Sequence, residues 1–148
     1  MTSMNAAGRL ACVAALLMSA CATQRDSATD PVGRYEVLKE LETGQVRLAC
    51  DWSCTGSWNG ARKTASGLYR SQLWNDLAAE VVRVGYASDL TYFYLARSAE
   101  GLGKPAAAAT YYRLALASGG KCDGIVFNSC DGIDVAAQVQ AGLKRVAP

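Results

Sequence analysis

Apolar and polar residues follow a helical period through the centre of the chain. Between Ser57 and Ser118 apolar side chains recur at steps of three and four residues, and one proline interrupts the run. This spacing is typical of helices that bury one face. It predicts four successive helices, over residues 57–69, 71–85, 87–103 and 105–120.

Residues at the ends of these segments support the predicted boundaries. Ser71 is a suitable N-cap for the second helix, and Ser88 or Asp89 for the third, because their side chains accept hydrogen bonds from free backbone N–H groups. Gly85 suits the turn after the second helix. Pro105 stands at the first position of the fourth helix, where its missing N–H costs nothing.

Two further segments lie outside this helical centre. Residues 134–146 predict a short amphipathic helix that begins with Asp134 as its cap and buries Val135, Val139 and Leu143. Residues 46–54 (VRLACDWSC) place apolar side chains at every second position. That alternation predicts either a short extended stretch with one face buried or an ordered loop held by a disulfide bridge.

The third and fourth helices resemble one tetratricopeptide repeat, a helix–turn–helix unit of 34 residues. The resemblance covers 30 residues, TYFYLARSAEGLGKPAAAATYYRLALASGG, with the turn at Leu102-Gly103-Lys104. The positions that match the pattern are Tyr92, Leu95 and Ala96 in the first helix and Ala108, Tyr112 and Ala115 in the second, while Ala99 stands where the pattern prefers a larger aromatic residue. The resemblance implies an all-α domain of about four or five helices, arranged as small antiparallel hairpins.

In tetratricopeptide-repeat proteins the inner face of the first helix binds extended peptide segments of partner proteins. The matching stripe in this chain is Leu90, Phe93, Arg97 and Glu100. The resemblance therefore implies a partner-binding role for these four residues. The alternative is that Phe93 packs against the preceding helix, while Arg97 and Glu100 form an exposed ion pair worth less than about 1 kcal/mol.

The first twenty residues have the features of a secretory signal peptide. Arg9 precedes an uncharged segment, residues 10–20, that is too short to cross a bilayer as a helix. The segment ends Leu17-Met18-Ser19-Ala20-Cys21, which resembles the lipoprotein box of bacteria. The resemblance implies that Cys21 carries covalent lipid, because a cysteine thiol is nucleophilic enough to be alkylated. Among lipoproteins, aspartate directly after the cysteine tends to retain the protein in the inner membrane, and this chain has Ala22 there, so the resemblance favours the outer membrane.

These features divide the chain into three parts. Residues 1–20 are the expected signal peptide, residues 21–33 a lipidated flexible tether, and residues 34–148 the helical domain. The tether prediction rests on polar, aperiodic residues together with Pro31 and Gly33. We expect the domain to stand on the periplasmic side of the outer membrane, with lipid as its membrane attachment.

Composition narrows the possible chemistry. The chain has 15 basic and 13 acidic residues, and removal of residues 1–20 takes away only Arg9, which leaves 14 and 13. A charge so near zero, without long runs of one sign, argues against nucleic-acid binding. Histidine is absent, which removes the commonest general base and transition-metal ligand. We therefore expect no catalytic residue, no metal site and no small-molecule substrate.

The domain keeps four cysteines in two close pairs, Cys50 with Cys54 and Cys122 with Cys130. In the periplasm they are expected to form two disulfide bridges. Pairing within each close pair is the simplest arrangement, but four cysteines allow three connectivities, and the sequence does not choose among them. A zinc site built from all four is the competing reading, which the seven residues between Cys122 and Cys130 disfavour.

Together these observations favour a lipid-anchored adaptor. Its predicted role is protein–protein interaction in the assembly of an envelope complex, such as a pilus or a secretion machine. Its partners would be envelope proteins, bound through an extended peptide segment, and it would carry no cofactor besides the lipid. Two alternatives stay open: a structural subunit of an outer-membrane complex, and a regulator of an enzyme that acts on peptidoglycan.

Overall fold

The structure of the protein, a computed structural model, describes residues 31–123 and 129–148. The predicted signal peptide, the predicted lipid attachment at Cys21 and residues 21–30 of the predicted tether lie outside the described residues. Within the described part the chain forms six α-helices and no strand. The helices are α1 (Pro31–Glu42), α2 (Thr55–Arg70), α3 (Trp74–Val84), α4 (Asp89–Gly101), α5 (Pro105–Ala117) and α6 (Val135–Arg145). The predicted all-α class is confirmed.

The helices α2 to α6 correspond to the five segments predicted from the apolar period. Ser88 caps α4 in a reciprocal capping box with Thr91, and Asp134 caps α6 by accepting a hydrogen bond from the Ala137 N–H at 2.9 Å. Gly85 ends α3 in the left-handed conformation, at φ 72°. The prediction for Ser71 was wrong. It ends α2 rather than starting α3, because its N–H continues the α2 ladder to the Gly67 carbonyl.

Helix α1 was not predicted from the sequence. It begins at Pro31, so its first three residues belong to the segment assigned to the tether. Val37 and Leu41 are buried on its inner face. Helices this short depend on tertiary packing for their stability. An ion pair between Arg34 and Asp76 of α3, and a hydrogen bond from the Tyr111 hydroxyl to the Leu41 carbonyl, hold α1 in place.

The segment between α1 and α2 forms no strand among the described residues, although it keeps the predicted alternation of buried and exposed side chains. Val46 and Leu48 point into the core. The Val46 N–H donates to the Tyr111 hydroxyl at 3.2 Å, and the Leu48 N–H donates to the Tyr92 hydroxyl at 3.1 Å. Buried backbone groups need such partners. Two tyrosines projecting from helices therefore satisfy the backbone that a neighbouring strand would otherwise satisfy.

Helix α4 lies at the centre of the fold. Almost every residue of α4 is buried, and it packs against α3, α5 and α6. The aromatic core around it comprises Trp58, Tyr69, Phe93, Tyr94 and Tyr112. Close helix approach depends on Gly142 of α6, where a Cβ would lie 2.2 Å from the Tyr112 ring. The residues that carry the repeat resemblance all face this interior.

Two disulfide bridges join the close cysteine pairs, Cys50–Cys54 and Cys122–Cys130. The simplest of the three connectivities is therefore the one adopted. Because each bridge closes a short loop, it fixes local geometry more than it ties distant parts of the chain together. The paired sulfurs leave no thiolates for the competing zinc site.

The second bridge is fastened to two helices. The Asp89 carboxylate, at the start of α4, accepts a hydrogen bond from the Cys122 N–H at 2.9 Å. Arg62 of α2 forms an ion pair with Asp131, the residue after Cys130. Both ends of this bridge are thus held against the helical core.

Candidate interaction site

Two of the four sequence-predicted partner-binding residues lie in the core. Leu90 and Phe93 are fully buried. The Phe93 ring packs at centroid distances of 5.7 Å from Tyr69 and 6.4 Å from Tyr112. Neither side chain can contact a partner unless the core opens. The arrangement matches the alternative in which Phe93 packs against neighbouring helices.

The other two residues, Arg97 and Glu100, belong to an ionic cluster that joins three helices. Glu100 of α4 accepts a hydrogen bond from Arg97 at 2.7 Å and one from the Tyr112 hydroxyl of α5. Arg145 of α6 donates to the same carboxylate through Nε at 2.7 Å and Nη2 at 3.1 Å. A carboxylate held this way is fully engaged by the protein itself.

The electrostatics of the cluster reflect this engagement. Burial raises the pKa of Glu100, but hydrogen bonds from Arg145 and Tyr112, with the positive charges of Arg97 and Arg145, outweigh burial and bring the pKa to about 2. Burial and the adjacent carboxylate raise the pKa of Tyr112 to about 12. Glu100 therefore stays ionised at neutral pH, where it has no proton to donate and is a weak base.

Arg97 is also engaged on its other side. Its guanidinium lies over the Trp74 ring, 5.6 Å from the centroid. This distance is typical of a cation–π contact. Arg97 thus lies between the Trp74 indole and the Glu100 carboxylate of its own chain.

The surface offers a different candidate. Four large apolar side chains are exposed among the described residues: Tyr35, Trp52, Leu73 and Leu116. Trp52 is the most exposed, at 77% of its surface. Tryptophan is highly buried on average in folded proteins, and it is enriched among the residues that dominate binding energy at interfaces. We therefore take Trp52 as the centre of the candidate interaction site.

A five-residue ring closed by the first disulfide presents this indole. We call residues 50–54 the Trp52 loop. The Asp51 carboxylate accepts a hydrogen bond from the Ser53 N–H at 3.1 Å, and the Thr55 hydroxyl donates to the Trp52 carbonyl at 2.6 Å. Cys54 is buried and is the N-cap residue of α2. The backbone of the Trp52 loop is therefore held at both ends while its tip stays exposed.

The other end of the Trp52 loop is anchored on the turn between α3 and α4. The Cys50 N–H donates to the Gly85 carbonyl at 3.0 Å, and the Cys50 carbonyl accepts from the Ala87 N–H at 2.7 Å. A loop fixed in this way loses little further freedom when a partner binds, which lowers the entropic cost of association.

Of the two alternatives that the alternation left open for this segment, residues 50–54 adopt the ordered loop held by a disulfide bridge, and Trp52 does not lie on a buried face. The alternation ends at Cys50, because residues 52–54 form a single 3₁₀ turn. The Trp52 indole is exposed on this turn. One signal was present in the sequence. A disulfide between Cys50 and Cys54 cannot span five extended residues, so the ring has to turn.

A groove of about 530 Å³ lies beside the second disulfide. Its apolar lining includes Leu116, Ile133 and Val139, and Asp89 contributes a carboxyl group. Burial raises the pKa of Asp89, although hydrogen bonds from the Cys122 and Leu90 N–H groups oppose this effect. The Asp89 carboxyl thus fastens the bridge to the start of α4. No cluster of three metal-ligating side chains occurs in the described ranges.

The comparisons with known proteins give no relative for this chain. It matches no protein-family model, no curated protein and no solved structure. Among residues 31–123 and 129–148, no helix has the length and apolar character that crossing a bilayer requires.

Proposed function

We propose that the chain is a lipid-anchored adaptor of the bacterial envelope, which binds a partner protein through the Trp52 loop. Lipid on Cys21 would hold it on the periplasmic side of the outer membrane. The observation that carries the proposal is the exposure of Trp52 on an ordered, disulfide-closed loop. The partner would be a protein of an assembling envelope complex, such as a pilus or a secretion machine.

Three further observations support the proposal. Disulfides form and persist in oxidising compartments such as the periplasm, and the domain carries two. The three-residue turn between α4 and α5, with the interior position of the matching residues, fits a tetratricopeptide-like hairpin. The chain also lacks histidine, and its Glu100 carboxylate is held ionised by internal partners. These two features argue against an enzyme.

The proposal moves the contact site away from the inner face of α4. In a repeat array that face is open to a peptide, but here α3, α5 and α6 cover it. A structural subunit of an outer-membrane complex is the second candidate, and the exposure of Tyr35, Leu73 and Leu116 on separate elements favours it. In that case several surfaces would contribute equally to assembly.

Photocrosslinking in cells tests the contact site. A photoreactive residue replaces Ser53, beside Trp52, and as a matched control Glu36, beside the similarly exposed Tyr35. We expect one identified envelope protein to crosslink at position 53 and not at position 36. The crosslink should fall at least about tenfold with Trp52→Ala, as for an interface hot spot, and remain with Tyr35→Ala. Equal crosslinking at both positions would favour the structural-subunit role.

A separate measurement tests the lipid anchor. Metabolic labelling with palmitate should modify the full chain, and Cys21→Ser should abolish the label and release the protein from the membrane fraction. An unlabelled protein that partitions as Cys21→Ser does would refute the anchor and leave the Trp52 contact to stand alone.

A further inference from the structure

In the Trp52 loop an exposed carboxylate directly precedes the exposed indole in the chain. Among the described residues, the Asp51 carboxylate takes part in one hydrogen bond, which its Oδ1 atom accepts from the Ser53 N–H. Among the ion pairs of the described residues, none includes Asp51. The Nη1 atom of Arg47, the preceding cation in the chain, donates to the Gly44 and Val46 carbonyls.

A partly buried contact in the same protein shows a cation that binds an indole and a carboxylate together. Arg97 lies 5.6 Å from the centroid of the Trp74 ring and donates to the Glu100 carboxylate at 2.7 Å. A guanidinium is suited to this position, since its flat face stacks on an aromatic ring while its edge donates to a carboxylate. In this contact the guanidinium, the indole and the carboxylate all come from one chain.

The Trp52 loop presents two of these three groups at the surface, the indole and the carboxylate. We infer that the Trp52 loop binds an arginine side chain of the partner protein, with the guanidinium stacked on Trp52 and paired with Asp51. Charge complementarity selects this occupant. The tip of the loop, residues 51–53, offers a negative charge, an electron-rich ring face and a hydroxyl. A segment of the partner that carries exposed arginine supplies the missing cation.

This inference rests on the proposed function, because it assumes that the Trp52 loop is the contact site. It adds the chemistry of the partner, which the crosslinking experiment does not address. If crosslinking at position 53 succeeds and arginine binding fails, the proposed adaptor role stands, and the contact that Trp52 makes with the partner is apolar. If crosslinking fails, arginine binding can still be measured on the purified protein.

The test is titration of the full chain, purified in detergent, with a short peptide carrying two arginines separated by glycine. The readout is the ¹H–¹⁵N NMR signals of the Trp52 indole N–H and the Ser53 amide. We expect saturable shifts at both signals. A peptide with citrulline in place of arginine keeps the size and most donors but loses the charge, and we expect it to bind at least about threefold more weakly, as for the loss of an exposed ion pair.

Two variants assign the shifts to the proposed groups. Asp51→Asn should weaken binding about two- to fivefold, while Glu36→Gln, which removes an exposed charge on α1, should leave it unchanged. Trp52→Leu should abolish the Ser53 shift while the other amide signals stay in place. Added salt should weaken the arginine complex, because the contact is exposed.

Three outcomes would overturn the inference: equal affinity for the arginine and citrulline peptides, an unchanged affinity with Asp51→Asn, or shifts spread over the whole surface. A fourth outcome would show that Trp52 contacts lipid and not an arginine. If vesicles of zwitterionic phospholipid shift the Trp52 signal and the peptide does not, the indole meets the membrane surface and not an arginine.

Discussion

Substitution of Glu100 by glutamine tests how the three C-terminal helices are held together. The Glu100 carboxylate accepts hydrogen bonds from Arg97, Tyr112 and Arg145, which lie on α4, α5 and α6. Glutamine keeps the shape of the side chain but removes its charge. The substitution therefore weakens one charge-assisted contact within α4 and two between helices.

The magnitude follows from the pKa of Glu100. It falls from an ordinary value of 4.5 to about 2, and each unit corresponds to about 1.4 kcal/mol of differential stabilisation. The full difference would be about 3 kcal/mol, but the side chain keeps 19% of its surface exposed and water screens part of the interaction. We expect Glu100→Gln to lower the free energy of unfolding by about 1–2 kcal/mol at pH 7.

The pH dependence separates the charge from other effects of the substitution. Because the folded-state pKa is lowered, ionised Glu100 stabilises the fold fully above pH 4.5, and this contribution is lost as the pH falls towards 2. Urea unfolding of both proteins between pH 7 and pH 2, followed by circular dichroism, measures the difference. It should shrink steadily below pH 4.5.

The matched control is Glu80→Gln. Glu80 has similar exposure and pairs with Arg83 at 2.7 Å, but both residues lie on α3. A pair within one helix contributes about 0.2–0.5 kcal/mol, so this substitution should have a small effect. An equal effect of the two substitutions, or a Glu100→Gln effect that does not change between pH 7 and pH 2, would refute the reasoning.

Two further substitutions probe the packing around α5. Gly142→Ala should destabilise the protein by about 1–3 kcal/mol in urea unfolding, because its Cβ would lie 2.2 Å from the Tyr112 ring, whereas Gly60→Ala, in open space on α2, should stabilise it by up to about 1 kcal/mol. If Gly142→Ala and Gly60→Ala both stabilise the protein, the close approach of α6 to α5 is wrong. Tyr111→Phe should cost about 1–3 kcal/mol, because the buried Val46 N–H loses its acceptor. An unchanged unfolding midpoint would mean that another group accepts this hydrogen bond.

The candidate site could be predicted from the sequence only in part. The steps of three and four residues correctly place Leu90, Phe93, Arg97 and Glu100 on one helical stripe. They do not say whether that stripe faces solvent, and α3, α5 and α6 pack around α4 and cover it. Periodicity reports which residues share a face, while burial depends on which other elements reach that face.

Trp52 shows a choice that the sequence left open. Its position in an alternating run fitted either a buried face or a loop held by a disulfide bridge, and the Cys50–Cys54 bridge closes a turn in which Trp52 is exposed. The residues before it illustrate the same dependence on tertiary contacts. Val46 and Leu48 are buried as expected. Their backbone N–H groups donate to the hydroxyls of Tyr111 and Tyr92, which lie 65 and 44 residues further along the chain, respectively.

The sequence by itself determined the features that depend on near neighbours in the chain. These are the all-α class, five of the six described helices, the caps at Ser88 and Asp134, and the presence of two close cysteine pairs. Each of them follows from interactions within a few residues, which a linear pattern contains. Only the tertiary structure decided that α1 is a helix, that α4 has no open face and that Trp52 is exposed, because each depends on which distant surfaces come together.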